Sequence, residues 1–170
     1  VLNLYFAGVD TRQEYLESKF LFLVHAVETY HRKQFTETAI PESEFKQIKN
    51  EVVDSCPKKH REWLEGKFAY MNEPSLRRRI KSVMKPFRNY FGNEGQRKHL
   101  INDIKTTRDY LTHFDEALKE CASSGADLAR LCFRLEVLLQ LVVLREIGFG
   151  EESIDKIAKQ NRKVVQKFKW

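Results

Sequence analysis

Glycine and proline are scarce in this chain. Only 7 glycines and 4 prolines occur among its 170 residues, whereas a protein built from many short strands needs turn residues at regular intervals. The scarcity therefore argues against an all-β fold. Apolar residues instead recur at steps of three and four along most of the chain, which is the period of an amphipathic helix. The sequence predicts an all-α fold, an antiparallel bundle of about six to seven helices.

Cysteine is also rare. Cys56, Cys121 and Cys132 are scattered and odd in number, and no two of them form a Cys-x-x-Cys pair. This usage indicates a reduced compartment and not a disulfide framework. No apolar run approaches the length that crosses a membrane, and the first residues do not resemble a signal peptide. We therefore expect a cytoplasmic protein without a membrane partner.

The motifs of several large enzyme classes are missing. The chain contains no GxSxG, no GxxxxGK[ST], no GxGxxG and no HExxH, so the hydrolases, nucleotide-binding enzymes and zinc proteases that carry them are excluded. Glu28-x-x-His31 has the ligand spacing of ferritin-like di-metal bundles, but those bundles use it twice and this chain has it once. We therefore expect no metal and no cofactor. Glu28 either pairs with Arg32 on the surface or supports a polar site in the bundle.

A single domain accounts for most of the chain. Its 170 residues fit one domain with a real core, and it begins at Val1 instead of Met. We expect residues 1–10 to connect from an upstream domain and residues 11–170 to form the helical domain. The periodic stretches predict helices over about 11–35, 41–53, 58–70, 74–91, 96–121 and 151–170, and a sixth helix that follows the separating segment 123–125 and ends at Gly148.

The apolar spacing also predicts which side chains are buried. The sixth helix has one apolar seam through Leu135 and Leu138 and another through Val137 and Leu141, so it should be central. The other expected core residues are Trp63, Phe68 and Tyr70 in the third helix, and Leu100, Ile104, Leu111 and Phe114 or Leu118 in the fifth.

Positive charge is concentrated in one stretch. The net charge is +6, and residues 74–91 hold six basic residues and no acid, so the remainder of the chain is balanced. Such a run is typical of a solvated helix face. Alternatively, its Arg77, Arg78 and Lys81 contact the phosphate backbone of RNA.

One stretch has a complete set of catalytic roles. In Arg108-Asp109-Tyr110-Leu111-Thr112-His113 the aspartate and the histidine are four residues apart, which places them on one face of a helix. The histidine can transfer a proton, the carboxylate can orient it, and the arginine suits a phosphate. The same stretch could also be a solvated helix face. The other candidates, His60 and His99, follow basic residues and are expected at the surface.

The chain resembles the HEPN superfamily, whose ribonucleases carry an arginine, a polar residue directly after it, and a histidine four to six residues after that polar residue. It is most similar to the C-terminal HEPN domain of ApeA-like bacterial defence proteins. The similarity includes the Arg108–His113 motif and extends over four blocks, which are YLESKFL at 15–21, AVETYHR at 26–32, NEPSLR at 72–77 and TRDYLTHFD at 107–115. Relatives usually have asparagine where this chain has Asp109.

The resemblance implies a metal-independent endoribonuclease in which the RNA 2′-OH attacks the adjacent phosphate. His113 would act as general acid or base, Arg108 would stabilise the charge on the phosphate, and Asp109 would orient the imidazole. With one motif per chain, the resemblance also implies a homodimer that shares one cleft, and an upstream sensor domain that gates the nuclease during phage infection. The alternative is a non-catalytic HEPN module that dimerises and binds RNA or protein, since Asp109 departs from the usual asparagine.

Overall fold

The computed structural model describes Asn3 and residues 15–160. Within that part the chain forms seven α-helices, three short 3-10 segments and no strand. The helices are α1 (Leu16–Gln34), α2 (Glu42–Ser55), α3 (Arg61–Phe68), α4 (Leu76–Met84), α5 (Glu94–His113), α6 (Gly125–Glu146) and α7 (Glu151–Gln160). The 3-10 segments are Lys58–His60, Lys85–Tyr90 and Glu116–Cys121.

The predicted all-α fold is confirmed. None of the helices in the described ranges is long and apolar enough to cross a membrane. The predicted connecting segment 1–10 lies outside the described residues, apart from Asn3, as do the predicted first turn at 11–14 and the last helix beyond Gln160.

Helix α6 is central because it is apolar on two sides. Leu135 and Leu138 on one seam and Val137 and Leu141 on the other are all buried, as predicted. Its main packing partner is α1, which also contacts α4 and α5. Burial of each aliphatic side chain of this size contributes about 1.5–3 kcal/mol, so the α1–α6 contact supplies much of the folding energy. Helix α1 consequently has a fixed position from which its polar residues reach α4 and α5.

Two predicted helices are shorter than the apolar pattern indicated. The α-helix of 74–91 ends at Met84 and continues as a 3-10 segment, because Pro86 has no N–H to donate to the preceding turn. The predicted 96–121 helix ends at His113, and Phe114 turns the chain with a φ of 51°. Asp115 then accepts a hydrogen bond from the Ala117 N–H at 3.0 Å and begins a separate turn, as aspartate commonly does at helix starts.

The α2–α3 region shows where the predicted core was wrong. Phe68 is buried and its ring contacts Phe45, with centroids 5.9 Å apart. Trp63 and Tyr70, however, are 66% and 76% exposed. Helices α2 and α3 pack against each other and only weakly against the bundle, so this short pair has room for few buried rings. Of the two alternatives for the core of the predicted fifth helix, Phe114 is also exposed and Leu118 is half-buried.

Asparagine side chains fix the loops that lead into α4 and α5. Asn72 accepts a hydrogen bond from the Ile40 N–H at 3.0 Å and donates one to Glu42 at 3.0 Å, which joins the loop before α4 to the loop before α2. Asn93 and Gln96 form a capping box, with reciprocal side-chain to backbone bonds of 2.9 and 2.8 Å. Such a pair satisfies two N–H groups that a helix start leaves without partners. The starts of α4 and α5 are therefore well defined.

Candidate functional site

A polar cavity of about 260 Å³ lies where α1, the start of α4 and the middle of α5 meet. Five basic and three acidic side chains line it, together with Pro74, Ser75 and Leu76. The basic residues are Arg32, Arg77, Arg79, Lys105 and Arg108, and the acidic ones are Glu28, Glu73 and Asp109. The excess of positive charge favours an anionic ligand such as a phosphate.

Arg108 and Asp109 meet at the α5 wall of this cavity. Arg108 Nη1 donates a hydrogen bond to Asp109 Oδ1 at 3.1 Å, and Lys105 Nζ lies 2.7 Å from Asp109 Oδ2. Partial burial alone would raise the pKa of Asp109, but the hydrogen bonds from Lys105 and Arg108 outweigh it and lower the pKa. Asp109 is therefore ionised at neutral pH, and its carboxylate pairs with both Lys105 and Arg108.

Glu28 faces the same arginine from α1. Its Oε1 lies 3.9 Å from Arg108 Nη2, whereas Arg32 donates a hydrogen bond to Glu73 at 2.9 Å. The sequence left open whether Glu28 pairs with Arg32 or supports a polar site. In the structure Glu28 contacts Arg108 of the polar cavity, and Arg32 contacts Glu73 instead. The Arg108 guanidinium therefore has a carboxylate on each side, Asp109 on α5 and Glu28 on α1.

His113 does not line the cavity. It is the last residue of α5 and is exposed, and a separation of five residues puts it roughly 140° around the helix from Arg108. In the described part of the chain no hydrogen bond joins it to Asp109. The prediction that Asp109 orients His113 is therefore not seen in the structure. The Asp109 carboxylate instead contacts Lys105, one helical turn earlier in the chain, because a cationic lysine attracts it more strongly. A single chain brings Arg108 and Asp109 together and leaves His113 apart.

The three basic residues predicted to bind RNA point to different places. Arg77 lines the cavity and donates a hydrogen bond to the Asn102 side chain. Arg78 instead donates to the Ala39 carbonyl at 3.0 Å and lies 3.3 Å from Glu37, so it anchors the loop before α2. Lys81 is exposed on α4. Only Arg77 of the three therefore adjoins Arg108.

Sequence reasoning missed Lys105 and Arg79. The signal for Lys105 was available, because it is four residues before Asp109 and such pairs attract each other on a helix. Arg79 had been counted within the basic run, yet it is only 3% exposed. Its Nε donates to the Pro74 carbonyl at 2.9 Å and its Nη2 donates to Glu73. Arg79 thus holds Glu73 and Pro74 in place at the cavity wall.

His31 is a further buried polar residue, close to Arg79. It is 1% exposed, its ring stacks on Phe35 with centroids 4.7 Å apart, and its Nε2 lies 3.7 Å from Glu37. Burial and the nearby charge of Arg79 lower its pKa, and Glu37 opposes them only in part. Among the described residues no three histidine, cysteine or acidic side chains are grouped to hold a metal ion.

Comparison with known proteins gives a family match. The model of the family described as Apea-like HEPN matches residues 21–153, which is more than half of the chain and includes both Glu28 and the 108–113 motif. No curated protein and no solved structure matches the chain.

Proposed function

Because this chain belongs to the Apea-like HEPN family, within a superfamily of nucleases and RNA-binding domains, we propose that it is a metal-independent endoribonuclease domain. Its substrate is RNA, and two copies of the chain form one active cleft. The wider role we propose is abortive infection, in which an upstream sensor domain of the full-length protein releases the nuclease during phage infection.

The observation that carries this proposal is the cationic cavity around Arg108. Cleavage by the RNA 2′-OH places negative charge on the phosphate oxygens, and a guanidinium held by Glu28 and Asp109 offers paired N–H groups to such oxygens. Lys105 and Arg77 add positive charge beside it. The site can therefore bind and stabilise a phosphate without a metal.

His113 supplies the proton transfer in this proposal. Histidine readily exchanges a proton near neutral pH, so it can accept one from the 2′-OH or donate one to the leaving 5′-oxygen. Because His113 lies on a different face of α5 from Arg108, one chain does not present both groups to the same phosphate. A two-fold contact along α5 would bring the His113 of a second copy toward the cavity.

The test is RNA cleavage by the purified chain and by His113→Ala and Arg108→Ala. We expect each substitution to lower the cleavage rate at least 100-fold, the order of magnitude of a lost acid–base group, with little change in melting temperature. His99→Ala is the matched control, since His99 is an exposed histidine on the same helix, and it should cleave normally. EDTA should leave the rate unchanged.

Three results would contradict the assignment. Full activity in His113→Ala would remove His113 from the mechanism. Equal losses in His99→Ala would show that the assay reports on the stability of α5. Inhibition by EDTA that added metal reverses would show that the reaction depends on a metal.

A second candidate function is a non-catalytic module that dimerises and binds RNA or protein. The observation in its favour is that carboxylates already surround Arg108, with Asp109 at 3.1 Å and Glu28 at 3.9 Å. If these ion pairs do not open for a phosphate, the cavity binds no scissile group. The purified chain would then bind RNA without cutting it.

A further inference from the structure

Phe114 is the one non-glycine residue with a positive φ in the described part of the chain. Its φ and ψ are 51° and 38°, in the left-handed region, and its N–H donates to the Tyr110 carbonyl at 2.7 Å. Glycine or asparagine is the usual residue at this position after a helix, because a bulky side chain is strained there. A phenylalanine at this point is thus unfavourable for the backbone.

Burial does not compensate for this strain. Phe114 is 70% exposed, and its ring contact is with Tyr110, at a centroid distance of 6.1 Å and an angle of 63°. Neither the local backbone nor the core therefore explains why an aromatic ring stands here. Strain that the fold itself does not require often marks a functional position.

The surroundings of Phe114 indicate what kind of ligand the ring fits. Residues 112–117 are all exposed, and apart from Phe114 and Ala117 they are polar. A stable protein interface buries about 800 Å² on each partner, whereas one aromatic side chain offers about 150–250 Å². An isolated ring in a polar setting instead suits a nucleobase, which stacks on one ring and keeps its polar edges in water.

We propose that Phe114, supported by Tyr110, is a stacking site for an unpaired base of the RNA substrate. This inference rests on the proposed function and specifies its substrate as single-stranded RNA. Because Phe114 directly follows His113, a nucleotide whose phosphate reaches His113 has its base close to the ring. The site therefore selects RNA with unpaired bases, which can leave base stacking within the RNA and stack on the Phe114 ring.

The experiment measures binding of a fluorescently labelled single-stranded RNA 12-mer to the full chain in a His113→Ala background, which prevents turnover. We expect Phe114→Ala to weaken binding roughly 5- to 150-fold, as the loss of one base–aromatic stack does. Phe114→Trp should restore binding. Trp63→Ala removes a similarly exposed ring on α3 and should have no effect. Duplex RNA of the same length, whose bases are already stacked, should bind equally to all variants.

Phe114→Gly separates binding from folding. Glycine relieves the positive-φ strain, so we expect a melting temperature about 2–4 °C higher, together with the same loss of single-stranded binding as in Phe114→Ala. A fall in molecular mass for Phe114→Ala would overturn the proposal in favour of a protein contact at this ring. Unchanged single-stranded binding, or equal weakening of duplex binding, would also overturn it.

Failure of this inference can be distinguished from failure of the proposed function. Cleavage that depends on His113 but not on Phe114 leaves the nuclease and removes the stacking site. Binding that depends on Phe114 without any cleavage by the unsubstituted chain leaves the stacking site and removes the nuclease. A chain that neither binds nor cuts single-stranded RNA contradicts both.

Discussion

Asp109 illustrates how one residue's partners decide its role. The motif alone placed it beside His113, but its carboxylate is held by Lys105 and Arg108. It therefore neutralises part of the charge that a phosphate would meet. Asp109 accepts a hydrogen bond from the Arg108 guanidinium, and Glu28 lies 3.9 Å from the same guanidinium on the α1 side.

Asp109→Asn should retain or increase RNA cleavage. The amide oxygen can still accept the hydrogen bond from Arg108, and removal of the negative charge leaves more of the Arg108 and Lys105 charge for the phosphate. The measurement compares the initial cleavage rates of Asp109→Asn and of the control Asp103→Asn. The control makes the same change on α5 at a residue that does not line the cavity. A folded but inactive Asp109→Asn would show that the carboxylate itself is needed.

His31 should make stability depend on pH. Its folded pKa is lowered, so the unfolded chain takes up the proton first. Its neutral burial therefore contributes stability above the unfolded pKa of about 6.5, and this is lost as pH falls through the folded value. We expect unfolding free energy to decrease from pH 7 to 5 with a slope of at most about 1.4 kcal/mol per pH unit from this residue.

The His31→Leu variant tests this dependence by urea unfolding at several pH values. Neither ring nitrogen of His31 has a hydrogen-bond partner, so leucine loses only the 3.7 Å contact between Nε2 and Glu37, and the slope between pH 7 and 5 should become smaller. The exposed His99→Ala change serves as the comparison and should keep the original slope. Identical slopes for the unsubstituted chain and His31→Leu would rule out this explanation.

At the scale of elements, helix α4 divides its basic residues between two tasks. Arg77 faces the cavity, while Arg78 and Arg79 hold the loop before α2 and the loop before α4. The run of positive charge is therefore partly structural. Arg77 and Arg79 line the cavity beside α5, and of these two Arg79 is buried.

Arg77→Glu should weaken RNA binding and reduce its salt dependence. Each neutralised phosphate contributes a slope of roughly −0.7 to the plot of log affinity against log salt for single strands, so loss of one contact should flatten the slope by about that amount. Lys46→Glu makes the same change of net charge on exposed α2 and is the matched control. An equal effect of both substitutions would indicate a general charge effect instead of a contact at the cavity.

At the scale of the whole molecule, the bundle places the two halves of the motif on different faces of α5. Packing of α1, α4 and α6 determines which face is inward, with Leu100 and Ile104 buried and His113 exposed. This arrangement is the physical reason for proposing a dimer.

Thr106→Arg should break the proposed dimer and abolish cleavage together. Thr106 lies about 200° around α5 from the buried Ile104, so a long charged side chain there enters the proposed contact and not the core. Thr36→Arg, at an exposed position between α1 and α2, should change neither property. The oligomeric state of each variant is measured by sedimentation, and its RNA cleavage is assayed at the same protein concentration. An active monomer at the working concentration would contradict the shared cleft.

The sequence by itself determined the all-α class and the central position of α6, because apolar periodicity acts over a few residues. It also placed Arg108 and Asp109 together in one motif and left two arrangements open for Glu28. Only the tertiary structure decided that Glu28 of α1 faces Arg108 of α5, that Arg79 is buried while Trp63 is exposed, and that Phe114 lies on the surface. These outcomes depend on which charges and helices meet across the bundle, and such contacts join residues too far apart in the chain for local spacing to show.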